Sequence, residues 1–260
     1  MTRPPDRIHA AASVGFEAAA DRYDRGRPSY PPAAIAAFVQ ALGIERGTDV
    51  LELGAGTGKF TALLVPTGAR VTAVEPVAAM RAVLERNVPS ACVLEGTAES
   101  IPVADRSSDA VAVAQAFHWF DAEQALVEIG RVLRPRGRLG MIWNVRDERP
   151  TWSRRLTAIY DRLSGEGNPR YKHLAWRPAF DRSDAFKPLE HRSYPYVHDA
   201  TREAFLDRVL SVSYVASASP DVRDEITRQV TELLETDPEL TGRDTIAMPY
   251  TTDVYWCERR

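Results

Sequence analysis

The sequence predicts an α/β fold: a doubly wound, mostly parallel sheet with helices on both faces. Three observations predict it. Short apolar runs alternate with apolar-periodic segments across residues 31–144. One run, Leu51-Glu52-Leu53, ends in glycines at alternate positions, Gly54, Gly56 and Gly58, just before a helical segment. An acid, Glu75, closes the next run, seventeen residues beyond Gly58. Strands that alternate with helices at such spacing need right-handed crossovers, and these give parallel pairing.

Each element has its own signal. Pro31-Pro32 opens a helix over 33–42, because proline is tolerated in a first helical turn. Residues 49–53 are a short strand stopped by the glycines, and 59–64 start a helix. Residues 70–74 are a second strand, 78–86 a helix and 92–95 a third strand. Residues 109–114 are almost continuously apolar, as a strand buried on both faces must be. Residues 122–133 form a helix halted by Arg134-Pro135-Arg136-Gly137, and 138–144 a fifth strand. Beyond Val145 the texture changes: 146–186 are rich in Arg, Trp and Pro and read as helices and loops. Residues 189–197 and 246–257 read as strands, 201–210 and 220–234 as amphipathic helices.

Composition narrows the function. The 260 residues are 44% hydrophobic and 27% charged, which suits a soluble globular chain. With 33 basic and 36 acidic residues the net charge is −3, which argues against a nucleic-acid binder that works by bulk electrostatics. Cys92 and Cys257 make no metal or redox spacing, so no metal site is expected and a reduced cytoplasmic setting is. No apolar stretch is long enough to span a membrane, and the N-terminus lacks the apolar core of a secretory signal. The first twelve residues are expected to be a loose tail.

The glycine segment carries the chemistry. Glycine lets the backbone turn tightly and lets a ligand approach where a Cβ would collide. The helix that follows offers unpaired N–H groups, and a carboxylate such as Glu75 accepts hydrogen bonds from ribose hydroxyls. Together these mark a nucleoside site. The spacing is GxGxG, not the GxGxxG of dinucleotide enzymes, and the phosphate-loop pattern fails at both the spacing and the hydroxyl after Lys59. Glu52 would repel a pyrophosphate and would tolerate a ligand bearing an ammonium and a sulfonium.

At this point the chain resembles the class I S-adenosylmethionine-dependent methyltransferases, in particular the small-molecule group called methyltransferase type 11. The resemblance spans nearly the whole chain and is sharpest over 50–144. It implies a seven-stranded, mostly parallel, Rossmann-like sheet with a last antiparallel strand and a helical cover. It implies S-adenosyl-L-methionine as cofactor. Glu52, Gly54, Gly56, Thr57 and Gly58 would hold its methionine part, Glu75 its ribose, and Pro76 and Met80 would lie by the adenine. Ala98 would read the adenine edge through the backbone. Thr97 or Glu99 would replace the aspartate that many relatives use for the adenine amino group. Gln115 would lie beside the methionine end.

The acceptor side is less defined. His118 and Trp119 leave the fourth strand at the ligand edge, and His118 is either a base for a substrate proton or a loop hydrogen-bonder. An acceptor that is already an ionised carboxylate needs no base. Tyr23 and Arg27 lie in a segment resembling the family's N-terminal cap. Trp143, Asn144, Arg146 and Tyr214 complete the candidates for acceptor binding, with Arg146 suited to a carboxylate. For each aromatic residue, ordinary packing is the competing reading.

The expected activity is methyl transfer to a small molecule at oxygen. The competing readings are an NAD(P)-dependent oxidoreductase on a similar sheet and a non-catalytic nucleoside binder. The expected organisation is a single domain over 13–260: a cofactor core to 145, a substrate cover with the sixth strand over 146–245, and a final strand over 246–257. No nucleic-acid or membrane partner is expected, and the chain is expected to act as a monomer or homodimer.

Overall fold

The computed structural model describes Asp24 and residues 26–163, 174–216 and 218–260. Seven strands form one sheet: β1 (Asp49–Leu53), β2 (Arg70–Val74), β3 (Cys92–Leu94), β4 (Ser108–Ala114), β5 (Leu133–Arg146), β6 (Glu190–Thr201) and β7 (Thr245–Glu258). Their order is β3-β2-β1-β4-β5-β7-β6. The described helices are α1 (Pro32–Leu42), α2 (Thr61–Leu64), α3 (Ala78–Asn87), α4 (Ala122–Val132), α5 (Thr151–Leu163), α6 (Arg177–Arg182), α7 (Arg202–Leu210), α8 (Ser213–Ala216) and α9 (Pro220–Thr236).

The chain divides into two compact units. The first comprises Ser29–Asn144, Pro169–Tyr194 and Thr252–Arg260. The second comprises Met1–Pro28, Val145–Asn168 and Pro195–Thr251. Strands β5, β6 and β7 each contribute residues to both.

In the first unit, β1 pairs in parallel with β2 and β4, β2 with β3, and β4 with β5. Strand β7 runs the other way. Gly137 accepts from the Arg259 N–H at 2.8 Å, and Asn144 meets Thr252, so partner numbers fall along β7 as they rise along β5. Lys187 with Glu258 and His191 with Asp253 show the same antiparallel sense against β6.

Local sequence explains the elements. Ala34, Phe38 and Leu42 are four residues apart, make one buried stripe on α1, and Gly43 ends the helix in the left-handed region at φ 65°. Asp121 caps α4 by accepting the Gln124 N–H. Strand β4 is buried at Ala110, Val111, Ala112 and Val113, as a central strand covered on both faces must be. The Arg134–Gly137 stretch does not delay the fifth strand. Leu133 already pairs with Ser108, and Arg138 with Ala110, so 134–137 form a bulge inside β5 with Arg136 at φ 65°. The short helix after the glycine loop begins at Thr61, two residues later than its pattern suggested.

One core of this unit packs α1 on the sheet. Phe38 and Phe60 meet edge to face at 5.1 Å, and Tyr30 reaches Phe60 at 5.3 Å, among Leu42, Val50, Leu64, Ala110 and Ile142. A second, aromatic cluster joins Phe117, Trp143, Trp176, Phe180 and Tyr255, with Trp143 and Trp176 stacked at 5.2 Å.

The second unit has its own apolar core. Trp152, Leu156 and Ile159 of α5, Phe205 and Val209 of α7, and Ile226, Val230 and Leu233 of α9 pack with Ile246, Met248 and Tyr250 of β7. The β7 residues alternate because successive side chains of a strand point to opposite faces. Ser219 caps α9 and Thr201 caps α7, each through its side-chain oxygen.

Phe38 is fully buried and touches both α1 and the sheet cluster. Phe38→Ala should cost about 3–5 kcal/mol in a denaturant melt, the scale of an emptied aromatic site. A loss under about 1 kcal/mol would mean that the cluster is not one packed core.

Candidate functional site

The parallel register sets the site. Leu53 pairs with Val74 and Val74 with Leu94, while Glu52 pairs with Ala112. The loops after β1, β2, β3 and β4 therefore leave from the same carboxyl edge, where ligands of open α/β sheets bind.

The glycine loop is clipped to the exit of β2. The Gly54 and Ala55 N–H groups both donate to the Val74 carbonyl, at 2.9 and 3.2 Å. The Glu75 carboxylate then bridges two turns: one oxygen accepts the Gly56 N–H and the other the Val77 N–H, each at 2.9 Å. Gly54 stands at φ 66° with an imagined Cβ only 2.7 Å from that of Ala116. Gly56 stands at φ 59°, and a Cβ there would meet nothing within 4 Å, so the backbone is bare at this point. Thr57 is buried, and its carbonyl accepts from the Asn87 side chain. Gly58 accepts the Ala62 N–H as the helix starts.

Glu52 lies beneath the loop and is 1% exposed. One of its oxygens accepts the Thr61 hydroxyl at 2.7 Å, and the other has no hydrogen-bond partner. Burial pushes its carboxyl up to about 8; the Thr61 hydrogen bond opposes this and the nearby Glu75 charge adds to it.

The remaining expected cofactor residues surround the same edge. Met80 and Ala98 are buried, and Pro76 is exposed with its carbonyl held by Arg81 at 2.7 Å. Thr97 makes an antiparallel bridge with Ser100. One Glu99 oxygen accepts the Asp121 N–H at 2.8 Å, so this carboxylate anchors the start of α4. Gln115 sits at φ 59°, uncommon for a residue with a Cβ, and its N–H donates to the Ile142 carbonyl.

Sequence reasoning missed the pair that secures this edge. Arg131 on α4 donates to the Ile101 and Val103 carbonyls and to Asp105, while Glu128 accepts the Ile101 N–H. The loop carrying residues 97–99 is thereby pinned from behind. Nothing in the local pattern of α4 distinguishes this arginine from a solvated one.

The acceptor candidates are used in different ways. His118 accepts at Nδ1 from the Trp143 indole N–H, at 3.4 Å. The neutral tautomer that accepts there carries its proton on Nε2, so it is a donor on its other side. Trp119 packs against His118 at 5.1 Å. Trp143 is fully buried in the aromatic cluster. Asn144 donates to the Ser29 carbonyl and accepts the Thr252 hydroxyl, so its amide ties three chain segments together. In the second unit Arg27 is half-buried, and Arg146 lies over the Tyr160 ring, 5.4 Å from its centroid. Tyr23 and the side chain of Tyr214 fall outside the described residues.

The chain is similar to known methyltransferases in sequence and fold. The family described as "Methyltransferase domain" matches residues 51–141. An uncharacterized methyltransferase of Mycobacterium tuberculosis is 42% identical over 92% of this chain and 93% of its own length. An uncharacterized methyltransferase-like protein of Schizosaccharomyces pombe is 31% identical over 91% of this chain and 92% of its own. Among solved structures, a putative methyltransferase from an antibiotic biosynthesis pathway of Anabaena variabilis shares the fold with a TM-score of 0.64. It is 19% identical over 88% of this chain and 98% of that one.

Glu52 yields a pH prediction. A free glutamate titrates near 4.5 and Glu52 in the fold near 8, so between these values the unfolded chain has lost a proton that the fold keeps. Stability is therefore unaffected below the lower value and falls as pH rises through the window. Glu52→Gln removes that loss, worth a few kcal/mol at about 1.4 kcal/mol per pKa unit. The variant's gain in melting temperature over wild type should be small at acidic pH and grow towards pH 8. A gain independent of pH would show that Glu52 titrates as an ordinary carboxylate.

Proposed function

The chain belongs to the class I S-adenosylmethionine-dependent methyltransferases, and we propose that it transfers a methyl group to oxygen of a small-molecule acceptor. One observation carries the cofactor reading. A wholly buried carboxylate, Glu52, keeps an oxygen without a partner directly below a glycine loop whose backbone is bare at Gly56. A cationic ligand beside this acid favours its ionised form and pairs with it, and an anionic pyrophosphate does neither, which disfavours the dinucleotide alternative.

These residues fit S-adenosylmethionine. Glu52 and the backbone of 54–58 would hold its amino-acid part, Glu75 the ribose, and Pro76, Met80 and 97–99 the adenine, with Gln115 beside the methionine end. Bound there, the cofactor supplies an electrophilic methyl on a sulfonium. The chain's contribution is alignment and exclusion of water, which can lower such a barrier by about 7–11 kcal/mol in ideal cases.

His118 bears on the acceptor atom. A neutral His118 that accepts at Nδ1 from Trp143 carries its proton on Nε2 and has no lone pair there to act as a base. This suits an acceptor oxygen that is already ionised. The buried Cys257 and the exposed Cys92 are both free thiols, which fits a cytoplasmic setting. The partner is a small molecule, not nucleic acid or membrane; among the described residues no helix is long and apolar enough to cross a membrane.

Glu75 tests this reading. Calorimetry should show S-adenosylhomocysteine binding to the wild type, weakened in Glu75→Ala by about 1–3 kcal/mol, the scale of a lost charged hydrogen bond. Glu75→Gln, which keeps one acceptor for the loop N–H groups, should fall between. Binding of NADH in place of S-adenosylhomocysteine would overturn the assignment, and equal affinity in all three proteins would remove Glu75 from the ribose.

A further inference from the structure

Away from the glycine loop, buried polar groups without partners gather in the second unit. The Arg146 guanidinium lies over the Tyr160 ring and donates from Nη2 to the Thr157 hydroxyl, yet its Nε is buried with no hydrogen-bond partner. Tyr250 on β7 is 3% exposed, and its hydroxyl is also buried without a partner. Beneath Arg146, and in the same apolar core as Tyr250, lies Tyr160. That phenol is pushed up by burial, while the charges of Arg146, Arg208 and Arg27 pull it down and Tyr250 adds to the rise.

Arg146 and Tyr250 stand opposite each other on β5 and β7, beside the Asp147 N–H that donates to the Pro249 carbonyl at 2.9 Å. Gly26 belongs to the same arrangement: a Cβ there would come within 2.6 Å of the α7 backbone at Asp207 and Arg208, so glycine lets the segment carrying Arg27 lie on that helix. The nearby acids are already engaged. Glu148 accepts the Thr157 hydroxyl at 3.0 Å, and Asp147 is held by Arg149 at 2.5 Å. Arg27, Arg208, Tyr160, Asp24 and Asp207 all have partners of their own, so the weight falls on Arg146 Nε and the Tyr250 hydroxyl. Arginine stays charged in any folded protein, and a buried donor without an acceptor is costly. A planar oxyanion with two acceptor oxygens relieves both donors at once.

We propose that Arg146 and Tyr250 anchor a carboxylate of a small organic acid. This anchor does not depend on the methyltransferase reading.

The test is calorimetry on the full chain without cofactor, with succinate, phenylacetate and inorganic phosphate as probes. At least one of the two acids should bind the wild type, about tenfold more weakly to Arg146→Met and several-fold more weakly to Tyr250→Phe. Tyr250→Phe removes a single oxygen, keeps the ring, and serves if Arg146→Met fails to fold. With no acid present it should also melt higher than wild type, because an unsatisfied hydroxyl is gone. Binding of phosphate alone, no binding of either acid, or acid affinity unchanged in Tyr250→Phe overturns the anchor. Titration with S-adenosylhomocysteine separates the two readings. Retained affinity in both variants with acid binding lost supports the anchor, and failure of the wild type to bind it sinks the methyltransferase reading while leaving the acid site standing.

Discussion

The carboxylate of Glu75 is the hinge on which the ligand edge depends. Its two oxygens accept N–H groups from the glycine loop at Gly56 and from the turn after β2 at Val77. The loop's positive φ angles leave these N–H groups without a helical or strand partner, and a buried N–H without one is costly. A single acid thus fixes the relative position of two loops that no ladder joins. It is also the reason the site can be small: β1 and β2 are in register to their last residues, Leu53 with Val74, so the clip spans little distance. The Glu128–Arg131 pair does the same for the third loop from the back of the sheet.

Much of this was legible in the sequence because it is local. The β1 and β2 boundaries follow from apolar runs ending in glycine or acid, and the helix over 78–87 follows from its spacing. The β5 start was not legible. Pro135 and Gly137 are ordinary stop signals, but β4 offers its edge to Leu133 before them, and the chain bulges through the stop to pair again at Arg138. Tertiary pairing outweighed the turn chemistry. Asn144 and Trp143 leave a strand at the ligand edge, which makes them candidates for acceptor binding, with packing the competing reading for the indole. The structure binds the first to Ser29 and Thr252, residues far away in sequence, and sinks the second in an aromatic cluster with Trp176. Such roles depend on what the fold brings next to them, which a linear pattern does not encode.

The arginines make the same point in a different way. The chain has many, and several described ones lie at the surface in pairs such as Arg182 with Glu123 or Arg228 with Glu225, worth little individually. Arg131 and Arg146 look identical to these in sequence. Arg131 differs because carbonyls of a distant loop point at it, and Arg146 because its guanidinium lies over the Tyr160 ring with its Nε buried. The groups the fold brings to it, not residue type, turn an arginine from a solubilising charge into a recognition element.

Burial also explains why the near-zero net charge of −3 conceals strong local electrostatics. In the first unit an acid, Glu52, is held in the dark with an unsatisfied oxygen. In the second, Arg146 and Tyr250 hold unsatisfied donors. An average over the surface cancels these opposite demands, and a ligand does not. On the functions proposed above, a sulfonium- and ammonium-bearing donor would answer the first demand and an organic acid the second.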